Sequence, residues 1–158
     1  MRNMRTIGVD LRHAADDRRL FVRAIRPTAF GLETHLSRML HAVHELRPDV
    51  VVVDPLSALQ VSGHGGQSTL TVLRLVDFLK SAGTTALYLT VQADEDKTAL
   101  NISSLMDTWI SLTNSRRDSG LERRLHIVKS RGMAHSSDMR LLSIGSAGVR
   151  VEDRKGGS

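Results

Sequence analysis

Four valines run directly into an acid at Val50-Val51-Val52-Val53-Asp54. A continuous β-branched run with no polar alternation fits a strand buried on both faces, as in the middle of a parallel sheet. In open α/β sheets, ligands bind beyond the carboxyl ends of the strands. A carboxylate placed there can meet the magnesium ion that neutralises nucleotide phosphates. Asp54 is therefore the candidate magnesium-site residue, acting through water, on a strand of Walker B form. Any buried strand that ends at an Asp opening a turn matches the same pattern.

Other groups are judged by residue type. Lys129 and Arg131 stand two apart just before Gly132; taken alone, they read as a solvated basic hairpin. His35, His41 and His44 share one predicted helix with Glu45, and His41 and His44 are near neighbours on it. A third ligand and an HExxH arrangement are lacking, so a solvated histidine face is expected. Asp16-Asp17 and Asp94-Glu95-Asp96 read as acidic surface loops. Ser57 has no G-x-S-x-G elbow to make it a nucleophile. Met39, Met106 and Met139 are expected in the core, and Trp109 in the core or an interface.

The elements that position these residues follow from periodicity. Leu20–Ile25 reads as a short strand ended by Arg26-Pro27. Gly31–Arg47 carries apolar residues at helical spacing, and Pro48 ends that helix by disfavouring helical geometry in the residue before it. The valine strand follows, then a glycine-rich loop at Ser62–Gln67, a helix over Thr69–Ser81 capped by Gly83, and a strand at Thr85–Thr90. Strand–helix–strand order with short connections predicts a mostly parallel α/β sheet with helices on both faces. Asp107–Leu112, Glu122–Lys129, Met139–Ile144 and Val149–Val151 are predicted strands of an antiparallel C-terminal edge. Asn114–Gly120 and Gly145–Gly148 would be the hairpin connections. The tail over 153–158 is expected to be disordered.

At 158 residues, with 41% hydrophobic and 25% charged content, the chain suits one globular domain with a core. No apolar run approaches the roughly 20 residues that span a bilayer. The absence of cysteine excludes disulfides, thiol catalysis and cysteine-ligated zinc, and fits a cytoplasmic protein. The formal charge of +5 admits nucleotide phosphates, nucleic acid or an acidic partner. At 3% aromatics, a stacking platform for single strands is poorly supported.

Taken in order, several segments resemble the KaiC and RadA branch of the RecA superfamily, which includes circadian clock proteins. They are Leu46–Leu59 (LRPDVVVVDPLSAL), Ala82–Thr90 (AGTTALYLT), Ser103–Leu112 (SSLMDTWISL), Glu122–His135 (ERRLHIVKSRGMAH) and Ile144–Val151 (IGSAGVRV). The K-x-R-G-x-x-H segment is the most diagnostic, and the matches span about residues 20–151. The resemblance implies a RecA-like P-loop core over 1–152 and a hexameric ring with ATP and Mg2+ between subunits. Asp54 would serve magnesium in its own subunit. Lys129 and Arg131 would reach the γ-phosphate of the neighbouring subunit's nucleotide, an arginine-finger role. His135 would lie against that nucleotide, and Gly132 would supply a tight turn.

The chain departs from that pattern in two ways. Ser146 stands where the family has an acid facing the nucleotide. No G-x-x-x-x-G-K-[ST] occurs anywhere, and the Gly63–Gly66 loop follows the valine strand and lacks the lysine. Without that loop there is no row of backbone N–H groups to cradle the phosphates, and the family's paired catalytic glutamates are missing too. The expectation is the C-terminal portion of an ATPase domain, starting partway through it and inactive alone. The alternative is a non-enzymatic assembly or nucleic-acid-binding module that keeps the RecA scaffold.

Overall fold

The computed structural model describes residues 2–61, 67–91, 104–117 and 120–152. The glycine-rich loop, the Asp94-Glu95-Asp96 cluster and the C-terminal tail lie outside them. The protein is α/β, and it divides into two compact units, Ala24–Met106 and Met1–Arg23 with Asp107–Ser158.

The first unit is built on two parallel strands, β1 (Val50–Val53) and β2 (Thr85–Tyr88), paired in register from Val50–Thr85 to Val53–Tyr88. Helices α3 (Leu32–Leu46) and α5 (Gln67–Ser81) pack on one face of that pair. Leu36 and Val43 of α3 meet Leu75 and Leu79 of α5 over Val51, Val53, Ala86 and Tyr88. Full burial of side chains this size contributes about 2 kcal/mol each. A second cluster gathers Leu32, Leu56, Leu59, Val72 and Val76 around the turn after β1. Helix α3 stops where Arg47 turns left-handed (φ 43°) ahead of Pro48. Helix α5 ends at Gly83, whose φ of 68° a side chain would strain.

Three expectations change here. Among the described residues the helices of this unit pack on the Val51/Val53 side of the valine run, and Val50 and Val52 are exposed. Leu20–Ile25 forms no strand, because no neighbouring strand pairs with it among the described residues, and Phe21, Val22 and Ile25 are exposed. His35 is buried, not solvated: its Nε2 lies 2.9 Å from the Pro27 carbonyl. Its ring meets Phe30 edge-on at 5.8 Å, and the Arg38 guanidinium sits 3.8 Å over the same Phe30 ring. His41 and His44 are exposed, as expected.

The second unit holds two short helices, α1 (Arg2–Arg5) and α2 (Arg12–Asp16), and a four-stranded antiparallel sheet in chain order. Its strands are β3 (Thr108–Arg117), β4 (Gly120–Ser130), β5 (Arg140–Gly145) and β6 (Gly148–Glu152). The predicted antiparallel C-terminal edge is thus a sheet of its own, longer at β3 and β4 than the sequence pattern suggests. The register places Ile110 opposite Ile127, Leu112 opposite Leu125, Leu142 opposite Val151 and Ile144 opposite Val149. Directly paired residues share a face, so this face is apolar, while Ser111, Ser115, Glu122 and His126 lie on the other. Met39 and Met106 pack against the core, whereas Met139 is exposed.

Candidate functional site

Asp54 follows the last residue of β1 and is exposed. Its position is held from both sides by backbone hydrogen bonds. The Leu89 N–H donates to the Val53 carbonyl at 3.0 Å, and the Leu56 N–H donates to the Leu89 carbonyl at 2.6 Å. The Asp54–Pro55 peptide is cis, and the turn leads into α4 (Ala58–Val61). Leu56 and Leu59 anchor that turn in the core. The carboxylate therefore stands in solvent at the carboxyl end of two parallel strands, on a turn fixed by buried leucines. An exposed, anchored carboxylate suits contact with a hydrated divalent cation.

Lys129, Arg131 and His135 belong to the other unit, at the end of β4 and in the segment that follows it. β4 pairs with β5 only at Arg124–Leu141 and Leu125–Arg140, so residues 126–130 run on with β3 alone beside them. Within that stretch the register shifts between Trp109 and Ile110, which leaves Val128 as a bulge. Bulges re-aim neighbouring side chains. Past the bulge, Lys129 lies across from Trp109 and Ser130 across from Thr108, whose hydroxyls are 2.9 Å apart.

Arg131 and His135 are exposed and Lys129 is half-buried. The Arg131 N–H donates to the Asp107 carbonyl at 2.8 Å, and Gly132 follows with φ 73°. His135 Nδ1 lies 3.3 Å from the Met133 carbonyl. A carbonyl can only accept, so Nδ1 carries the proton in this contact.

The three predicted trans residues thus fall at the end of β4 and in the segment after it, and Asp54 belongs to the other unit. Ser146 is exposed in the turn between β5 and β6. Sequence reasoning did not single out Tyr88, which pairs with Val53 at the end of β2. Among the described residues its buried hydroxyl has no hydrogen-bond partner, and burial pushes its pKa up to about 12. A lone tyrosine in an apolar strand carries no sequence signal for such a group.

Comparison with known proteins gives the family of the chain. The family model described as "ATPase: KaiC" matches residues 1–156. The chain is 40% identical over 154 residues to the circadian clock protein KaiC2 of Synechocystis, covering 94% of this chain and 27% of that relative. It is 27% identical to KaiC3 of the same organism, over 96% of this chain and 31% of the relative. Identity to the circadian clock oscillator protein KaiC of Synechococcus elongatus is 25%, over 97% and 30%. The chain therefore spans less than a third of the length of these relatives. No helix among the described residues is long and apolar enough to cross a membrane. The match across nearly all of its length places the chain in the KaiC ATPase family, with the RecA-like fold that family implies.

Proposed function

We propose that this chain is the C-terminal part of a KaiC-like ATPase domain that contributes to ATP sites between subunits of a cytoplasmic homo-oligomeric ring. Both compact units belong to that one domain in this reading. Asp54 serves the magnesium ion of its own subunit's site. Lys129, Arg131 and His135 face the nucleotide of the neighbouring subunit, where two cations stabilise charge on the transferring phosphoryl group. ATP and Mg2+ supply the phosphoryl group and its counter-charge. The protein's residues supply placement: a fixed turn for the carboxylate and a strand end for the cations.

The observation that carries the reading is the end of β4. It bears the K-x-R-G-x-x-H segment, runs past its ladder with β5, and presents Arg131 and His135 to solvent. A cation meant for a ligand on another subunit must be exposed in its own. The Asp54 carboxylate, solvated at the strand terminus, fits the same division of labour.

With no phosphate-binding loop in its sequence, the chain alone is inactive in this reading. Anisotropy of a fluorescent ATP analogue with magnesium tests this. The expected result is no saturable binding to the isolated chain. Saturable, magnesium-dependent binding would show that the nucleotide site lies elsewhere in these 158 residues.

A further inference from the structure

The ladder between β3 and β4 shifts register between Trp109 and Ile110, and that shift decides which way Lys129 faces. On one side of it Ile110 pairs with Ile127; on the other Trp109 pairs with Lys129 and Thr108 with Ser130. Successive residues of a strand point to opposite faces, and directly paired residues share one. A regular ladder continued from Ile110–Ile127 would set Trp109 against Val128 and Thr108 against Lys129. Lys129 would then lie on the Ile110 side of the sheet. The extra residue, Val128, advances β4 by one position and turns Lys129 to the Trp109 side instead.

Register is specified strongly by buried apolar pairs and weakly in polar stretches, where a slip of one residue sends a side chain to the other face. Neither pair beyond the bulge joins two apolar residues. What favours the observed register there is directional. Thr108 Oγ1 and Ser130 Oγ lie 2.9 Å apart, a hydrogen bond that needs these two residues opposite each other. In the regular ladder their hydroxyls would point to opposite faces. The Arg131 N–H, which donates to the Asp107 carbonyl at 2.8 Å, continues the advanced register by one more residue. All of these residues belong to the same compact unit.

We propose that the Thr108–Ser130 hydroxyl bond is a register lock, and that these two are positioning residues which keep Lys129 on the Trp109 side and Arg131 at the turn. The lock stands on the β3–β4 pairing alone. Its consequence for ATP rests on the nucleotide role proposed for Lys129 and Arg131.

Amide exchange and nuclear Overhauser contacts in the full chain read the lock. ATP hydrolysis by Synechocystis KaiC2 carrying this chain in place of the stretch it matches reads the consequence. In the chain, Thr108→Val with Ser130→Ala should speed exchange of the Arg131 N–H by about two- to fivefold, the range open to a cross-strand hydroxyl pair. Contacts from Lys129 to Thr108 should appear beside those to Trp109. Either single variant should do as much as the double, since each alone removes the bond. The swapped pair, Thr108→Ser with Ser130→Thr, keeps both hydroxyls and should behave as the unmutated chain. In the grafted ring the double variant should lower kcat and leave KM unchanged, as loss of an interaction made only in the transition state does. The swapped pair should restore kcat. Unchanged Arg131 exchange and unchanged Lys129 contacts in the double variant would overturn the lock. An altered register with kcat intact, in a ring where Lys129→Ala abolishes hydrolysis, would overturn the positioning role. Hydrolysis that survives Lys129→Ala would overturn the nucleotide reading itself, and exchange at Arg131 would still decide the lock.

Discussion

The backbone N–H of Arg131 donates to the carbonyl of Asp107 at 2.8 Å, tying the residue after β4 to the residue before β3. The turn that carries the K-x-R-G segment is thereby anchored at its first residue, and Gly132 then reverses the chain with φ 73°. A Cβ at Gly132 would meet nothing within 4 Å, so a substitution there strains only the backbone. Gly132→Ala should cost about 1–2 kcal/mol, and Gly132→Asn less, because asparagine tolerates the left-handed region. Urea unfolding of the two variants checks the order.

Helix α5 separates buried from exposed leucines within one element. Leu75 is 1% exposed and touches both helix α3 and the sheet through its cluster, whereas Leu70 is 55% exposed. Leu75→Ala should destabilise the protein by about 2–5 kcal/mol, as cavity-forming substitutions do. Leu70→Ala should stay within about 0.5 kcal/mol. Denaturant midpoints of the pair test whether the α3–α5 contact is the core of its unit.

Tyr88 makes a prediction about alkaline pH. Burial raises its folded-state pKa to about 12, above the ordinary tyrosine value near 10. The neutral phenol is thus favoured by folding. Its contribution is fully present below about pH 10 and is lost as pH climbs toward 12. Stability should fall over that window, and Tyr88→Phe should flatten the fall. Because the hydroxyl has no partner among the described residues, the same change should leave stability at neutral pH equal or higher. Thermal melts at stepped pH read both effects.

Asp54 should matter to function and hardly at all to folding. It is exposed, and the neighbouring leucines fix its turn. Asp54→Ala should change stability by no more than about 0.5 kcal/mol. Chemical denaturation of the isolated chain measures this, and a large loss would mark the carboxylate as a structural group.

Local patterns wrote much of this fold plainly into the sequence. The valine run, the helical spacing over Gly31–Arg47 and the stop at Pro48 each name an element that the structure contains. The turn at Ser146–Ala147 was equally readable from its flanking glycines. What depends on neighbours was not. Leu20–Ile25 has strand composition, but a strand needs a partner ladder, and composition cannot supply one. The valines predict burial on two faces, yet how many faces are covered depends on which other elements are present. His35 looked like its neighbours His41 and His44; only the position of Pro27 and Phe30 makes it a buried contact. Of the site, the residues were legible through the K-x-R-G-x-x-H segment. The bulge at Val128 and the overhang of β4 beyond β5 that present them were not.

The most direct measurement grafts this chain into Synechocystis KaiC2 in place of the stretch it matches and follows ATP hydrolysis by mixed subunits. Asp54→Asn and Arg131→Ala grafts should each be inactive alone. Mixed in equal amounts, they should regain up to about a quarter of the unmutated rate, because some interfaces then combine an intact Asp54 from one subunit with an intact Arg131 from the next. No recovery on mixing, with ring assembly intact, would contradict the division of the site between neighbouring subunits.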